Sequence, residues 1–387
     1  MKFVLFLALL VAAFPAWAQP SISEPVLTPV VADTLYPPQA VQGSDGKVHL
    51  VYELGLANAS PATAEFSKIE VLDGRTQAPL LTLDREEIGK RLSIGGRRGA
   101  ESAELGAGQI AVMFLHVALD AKWSPPPRLV HRLTLRLLLA NPIDVVETVA
   151  ETEVDRTPPV VLGPPLAGKG YVAADGCCDT VRHVRALLPL NGRFTLAQRF
   201  AIDWEQVDGE SRLFKGDKHA PESYVIYGRE VLAVADGTVI ASRNDLPEQI
   251  PGALPANLPI AEADGNFIVL DIGGAYVLYA HLQPGSVLVA AGAQVKRGDI
   301  IGKVGNTGNT QAPHLHLHVM DGPSPLLSNG IPYVFESFTI TAIDHAGTAD
   351  LDAAEATGKP MELTPLVPPQ HFHDVLPLDL SIVEFSR

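Results

Sequence analysis

Three histidines alternate with apolar residues in Pro313-His314-Leu315-His316-Leu317-His318-Val319, a stretch introduced by Gly305-Asn306-Thr307-Gly308. In an extended strand, residues two apart share a face. The spacing therefore predicts a strand that points His314, His316 and His318 to one side and sends Leu315, Leu317 and Val319 into a core. Imidazole is the commonest metal ligand and the commonest general base. A strand that commits one face to imidazoles is read as part of a metal or acid–base site.

Such a strand needs a scaffold, and the composition says which kind. The chain has 33 glycines and 32 prolines among 387 residues, and aromatics make up 6%. Short alternating runs broken by Gly, Pro, Asn and Asp dominate, the pattern of an all-β protein. Leu50, Tyr52, Leu54 and Leu56 alternate with polar neighbours, and Leu129, His131, Leu133, Leu135 and Leu137 do the same with Arg132, Thr134 and Arg136 outside. Strands at this spacing over residues 19–156 predict an N-terminal β-sandwich of immunoglobulin-like kind. His49, His116 and His131 fall singly on these strands and are read as satisfied residues, outside any site.

Thr157-Pro158-Pro159 and Gly163-Pro164-Pro165 mark a boundary. Residues 157–340 then form a second β domain. Its clearest hairpin is Phe267–Ile272 with Ala275–Leu282, joined through Gly273-Gly274. The stretch 244–263, with Pro247, Pro251, Pro255 and Pro259, is a long loop expected to wall a groove. Residues 341–387 read as a loosely ordered C-terminal tail with one more strand, Leu380 to Phe385.

The start reads Met1-Lys2, then an apolar run from Phe3 to Phe14, then Ala16-Trp17-Ala18. That is the pattern of a cleavable signal peptide over residues 1–18, so the mature chain is expected to be periplasmic or secreted, with no membrane span after cleavage. A net charge of −15 speaks against nucleic acid as a partner. Only two cysteines occur, adjacent, at Cys177 and Cys178. They are too few for a disulfide framework, and either close on each other or remain thiols.

Taken together, Ala-Val-Ala-Asp-Gly-Thr-Val (233–239), Tyr-Ala-His-Leu (279–282), the Gly/Val run from Val289 to Gly308 and Pro-His-Leu-His (313–316) occur in order. The combination resembles the lysostaphin/LytM-type zinc metallopeptidases, which cut peptide cross-links in bacterial peptidoglycan. The resemblance covers about residues 199–320 and implies a barrel-sandwich-like β-core for this part of the chain. It implies Zn2+ as cofactor, bound by a His and an Asp from an H-x-x-x-D motif and by the second His of H-x-H. Carried over, His316 becomes a zinc ligand and Asp203 the carboxylate ligand. His314 and His281 become the catalytic pair, a general base and a transition-state donor.

One position departs from the pattern. Four residues before Asp203 stands Arg199, which stays protonated and cannot ligate zinc. Three readings stay open: His183 supplies the missing imidazole, the motif lies later at His219 and Glu222, or the site is degenerate. His318 takes either a role beside the ligands or a surface role. The function expected is a zinc endopeptidase acting on peptidoglycan or another peptide. The alternative is a non-catalytic relative that binds cell wall or activates a wall-hydrolase partner.

Overall fold

The computed structural model describes residues 25–386, except 96 and 98. The signal peptide expected at residues 1–18 lies outside the described residues. Strands dominate; the α-helices among the described residues are Arg85–Arg91 and Thr348–Thr357. Neither is long and apolar enough to cross a membrane.

Two five-stranded antiparallel sheets occupy the N-terminal part. One runs Val30–Thr34, Lys47–Asn58, Ile110–Asp120, Leu92–Ile94, and the other Ile143–Glu153, Arg128–Leu137, Ala64–Asp73, Pro79–Asp84, each with one further short strand on its flank. The alternation at Leu50, Tyr52, Leu54 and Leu56 packs them together, because all four bury against Phe66, Ile69, Leu129, Leu133 and Leu135. Each such side chain contributes about 1.5–3 kcal/mol of hydrophobic stabilisation. His131 is fully buried among them and satisfied. Its Nδ1 donates to the Ala150 carbonyl at 2.9 Å, and its Nε2 accepts from the Tyr52 hydroxyl at 2.8 Å.

A ten-stranded sheet organises the rest. Its order is Gln294–Val295, Gly237–Arg243, Asn266–Asp271, Tyr276–Leu282, Leu315–Met320, Ile202–Gln206, Gly168–Ala174, Ser381–Phe385, Phe338–Asp344, Leu363–Phe372. The histidine strand, Leu315–Met320, therefore lies in the middle, with sheet on both sides. Leu315, Leu317 and Val319 enter a core with Trp204, Tyr279, Tyr333 and Phe335. The hairpin read from the sequence is present as Asn266–Asp271 paired with Tyr276–Leu282, and Gly273 and Gly274 turn it with φ of 81° and 108°.

Residues 341–387 are not the loosely ordered tail that the sequence reading expected. They complete Phe338–Asp344 and add Thr348–Thr357, Leu363–Phe372 and Ser381–Phe385. Ser381–Phe385 pairs with both Gly168–Ala174 and Phe338–Asp344, burying Ile382, Val383 and Phe385. Pro365, Pro368 and Pro369 fall within one of these strands. They sit on Leu363–Phe372, the edge of the sheet, where a missing N–H breaks no ladder on the open side.

The two halves meet through Arg199. It is 3% exposed. Its Nε and Nη2 donate to the Glu53 carboxylate at 2.8 and 2.7 Å, and its Nη1 donates to Asn329 Oδ1 and the Gly330 carbonyl at 2.6 and 2.7 Å. Tyr36 stacks on the guanidinium at 5.3 Å. Glu53 lies on Lys47–Asn58 and is itself 0% exposed. The residue at the departing position is thus an ion-pair bridge to the N-terminal sheets.

Candidate functional site

Strand register sets the centre of the site. Asp203, on Ile202–Gln206, is the direct partner of His316 on Leu315–Met320, and Ala280 faces His316 from the other neighbouring strand. His281 follows at φ +62°, in the left-handed region. A non-glycine residue there costs on the order of 1–3 kcal/mol and persists only when its surroundings fix it. Here its N–H donates to the Asp264 carbonyl at 3.0 Å and its ring Nδ1 to the Thr307 carbonyl at 2.7 Å. His314 precedes the strand and donates from Nδ1 to the Ala312 carbonyl at 2.8 Å. His183 comes from the loop after Gly168–Ala174, where its Nδ1 donates to the Asp175 carbonyl at 3.0 Å.

Asp203 gathers three imidazoles. His316 Nδ1 lies 2.8 Å from Oδ1, His314 Nε2 3.4 Å from Oδ1, and His183 Nε2 3.3 Å from Oδ2. His316 Nε2 is in turn 2.8 Å from His318 Nδ1. Asp203, His183, His281, His314 and His316 line a cleft of about 270 Å³ that also holds Asp175, Arg182, Glu205, Leu254, Gln311 and Glu355. Leu254 belongs to the proline-rich loop, which does contribute to the cleft wall.

Burial and charge oppose each other here. Burial would raise the Asp203 pKa, but the His183 and His314 imidazoles outweigh it and hold the carboxyl well below its usual range. Burial alone would lower His183, and the Asp203 carboxylate more than compensates, holding it up at about 9. Burial pushes His316 down, and pushes His281 and His318 well down with help from neighbouring imidazoles. A second, acidic rim is kept protonated more readily: burial raises Glu205 and Glu355, which share a hydrogen bond, and raises Asp175, with Asp203 adding to it.

The donor set fits a borderline-soft cation. One atom each from His183, Asp203 and His316 lie within 4.8 Å of one another, as do atoms of His281, His314 and His316. The backbone carbonyls beneath His183, His281 and His314 fix hydrogen on each Nδ1, because a carbonyl only accepts. In its neutral form each ring therefore carries its lone pair on Nε2, toward the cleft. His314 Nε2 is buried and has no hydrogen-bond partner. Two imidazoles and one carboxylate, with a fourth position left to solvent, are the ligand chemistry of a catalytic zinc site.

Of the residues singled out in the sequence, His183, Asp203, His281, His314 and His316 converge. His219 and Glu222 do not. Both are exposed, and His219 Nδ1 is taken up by the Pro251 carbonyl at 2.8 Å. They lie in a loop that has already left the sheet, whereas Asp203 is held against His316 by strand pairing. His318 is 0% exposed, so the surface role kept open for it does not hold. Glu205 and Glu355 were missed. Glu205 was legible, standing two residues after Asp203 on one strand and so on the same face. Glu355 arrives on Thr348–Thr357, and nothing local announces it.

An all-β scaffold with a His/Asp cluster at the middle of its main sheet defines a candidate metal centre. Residues 223–327 match the sequence model of peptidase family M23. The chain thus carries an M23 peptidase domain. That span includes His281, His314, His316 and His318, while His183 and Asp203 precede it. Peptidoglycan DD-endopeptidase ShyA of Vibrio cholerae is 35% identical over 94 residues, 24% of this chain and 18% of that protein. A protein of Haemophilus influenzae described as an uncharacterized metalloprotease is 30% identical over 174 residues, 40% of this chain and 33% of that one. The chain therefore spans a third or less of the length of these two relatives. Among solved structures, the catalytic domain of lysostaphin from Staphylococcus simulans aligns at 22% identity and a TM-score of 0.22, over 42% of this chain and 88% of that one.

Proposed function

We propose that this chain is an exported zinc metalloendopeptidase that hydrolyses peptide bonds in peptidoglycan cross-links. The observation that carries the reading is the meeting of His183 Nε2, Asp203 and His316 Nδ1, which restores a third ligand where Arg199 removes one. The M23 match and the peptidoglycan endopeptidase relative support the substrate class. His183, Asp203 and His316 hold the metal. Bound there, zinc supplies a water of lowered pKa, about 7 in such sites, and a Lewis acid for the scissile carbonyl.

The protein's own groups do the rest. His314, with hydrogen fixed on Nδ1, uses its Nε2 lone pair to take a proton from the attacking water and then returns it to the leaving amine. Asp203 Oδ1, 3.4 Å away, steadies the imidazolium formed in between. His281 has the same tautomer, so it donates to the oxyanion only once it carries a second proton. His318 holds the His316 ring from behind, as partners of metal-bound histidines do. The non-catalytic alternative drew on Arg199, and the bridge to Glu53 gives that residue a different reason to be there.

The test is to purify the mature chain, count zinc per molecule, and follow release of cross-link peptides from peptidoglycan with and without chelator. One zinc and chelator-sensitive release are expected. Release unaffected by chelator, or a chain that takes up no zinc, overturns the enzyme reading. Amino-terminal sequencing that begins at Gln19 supports export by signal cleavage.

A further inference from the structure

Away from the cleft, two histidines meet a cysteine. His49 and His116 lie on adjacent strands, Lys47–Asn58 and Ile110–Asp120, with His116 paired to Val51, two residues along from His49. Their side chains share one face. His49 Nε2 lies 3.0 Å from Asp45 Oδ1, and His49 Nδ1 lies 2.9 Å from His116 Nε2. A carboxylate only accepts, so His49 carries hydrogen on Nε2 and offers the Nδ1 lone pair, to which His116 Nε2 donates; on metal binding that hydrogen moves to His116 Nδ1 and frees Nε2. This carboxylate–histidine arrangement is the one that orients metal-bound imidazoles. Gly43 makes room for the ring: a Cβ there would come within 2.6 Å of His49 Nε2. Cys178 closes the group from the other half of the molecule, and one ring nitrogen of each histidine and its Sγ lie within 4.8 Å of one another. His49 and Cys178 are 2% and 7% exposed.

Cys178 is disulfide-bonded to Cys177. A disulfide sulfur is not the anionic ligand that a thiolate is. We propose that opening this disulfide creates a second metal site, in which His49 Nδ1, His116 Nε2 and the Cys178 thiolate bind zinc. The electrons come from a dithiol. One of its thiolates attacks Cys177 Sγ, forming a mixed disulfide and expelling Cys178 as thiolate. Its second thiolate then displaces Cys177, and the reductant leaves as a cyclic disulfide. Cys177 ends protonated, and Cys178 stays deprotonated on the metal. Two imidazoles and one thiolate are a zinc ligand set with a fourth position open. The ion would join two sandwich strands to the segment that carries His183, five residues beyond Cys178. This site stands independently of the catalytic reading.

The test uses the full mature chain, loaded with Co2+ as a spectroscopic stand-in for zinc. Wild type is compared as purified and after treatment with a dithiol that is removed anaerobically. Reduction is expected to add one equivalent of metal and a thiolate-to-cobalt charge-transfer band. Cys177→Ser, which cannot close the disulfide, should show both without reductant. Cys178→Ser, His49→Gln and His116→Gln should show neither after reduction. No added equivalent in reduced wild type overturns the proposal even if a variant fails to fold. An added equivalent that persists in the two histidine variants also overturns it, since the adjacent thiols alone would then be the ligands.

Discussion

Replacing Glu53 by glutamine leaves the Arg199 guanidinium buried with no countercharge. The pair is closed on both sides: Arg199 is 3% exposed and Glu53 0%, with two parallel hydrogen bonds at 2.8 and 2.7 Å. Removing one member of such a pair costs about 3–5 kcal/mol, because the survivor stays charged and desolvated. A domain is stable by only about 5–15 kcal/mol in all. E53Q should therefore lower the urea midpoint severely. With a slope of about 1–3 kcal/mol per molar in urea, a loss of that size moves the midpoint by at least about 1 M. Removing both charges is a different matter. E53L with R199M trades the pair for apolar side chains of similar size, which is often neutral or stabilising. The double variant should recover most of the lost midpoint and still bind one zinc. The assay is urea unfolding followed by tryptophan fluorescence, with metal counted on the same samples. An E53Q cost below about 1 kcal/mol would mean that the bridge is not the buried, unhydrated pair described here. Loss of zinc in a folded double variant would mean that Arg199 serves the metal site after all.

Three further outcomes follow from the site and the sandwich. His183→Ala should abolish stoichiometric zinc, whereas His318→Ala should weaken binding by about 10–100-fold, the usual effect of losing a partner behind a ligand; metal titration separates the two, and equal effects would refute the assignment. His314→Gln should keep zinc and lose about 10²–10⁴ in kcat, the contribution of a positioned general base, and loss of metal instead would show that His314 is a ligand. Burial lowers the His131 pKa to about 4 from 6.5. The unfolded chain thus takes up a proton that the folded chain refuses, so the contribution is intact above pH 6.5 and is lost as pH falls toward 4, about 3 kcal/mol in all. Urea midpoints at pH 7.5 and 4.5 should differ less in His131→Gln than in wild type, and an unchanged difference would contradict this.

Local pattern carried the strands that flank the site. Leu315, Leu317 and Val319 alternate with the histidines, and Gly273-Gly274 announces its hairpin, because period-two burial and positive-φ turns are written in neighbouring residues. Pairings between distant segments were not written there. His183 follows no motif spacing to Asp203, and only the fold of the loop at Asp175 brings it over. Thr348–Thr357 shows no apolar stripe; Asp350, Leu351 and Ala354 alone are buried. So neither the helix nor the Glu355 that it delivers could be read in advance. His49 and His116 each looked solitary because the partner lies on another strand.

The His183 loop is held at more than one point by the N-terminal half. Arg91 pairs with Asp179, and Arg185 donates to the Lys90 carbonyl at 2.6 Å. A ligand on the sheet itself travels wherever the sheet is grafted. A ligand on a borrowed loop does not. A fragment cut to residues 157–387 keeps every side chain of the candidate metal centre yet loses the grip that sets one of them, and its metal uptake should be weaker than that of the whole chain. With Arg199 in place of an imidazole, the candidate centre is not a self-contained cassette: one of its donors is set by a sandwich that contributes no side chain to it.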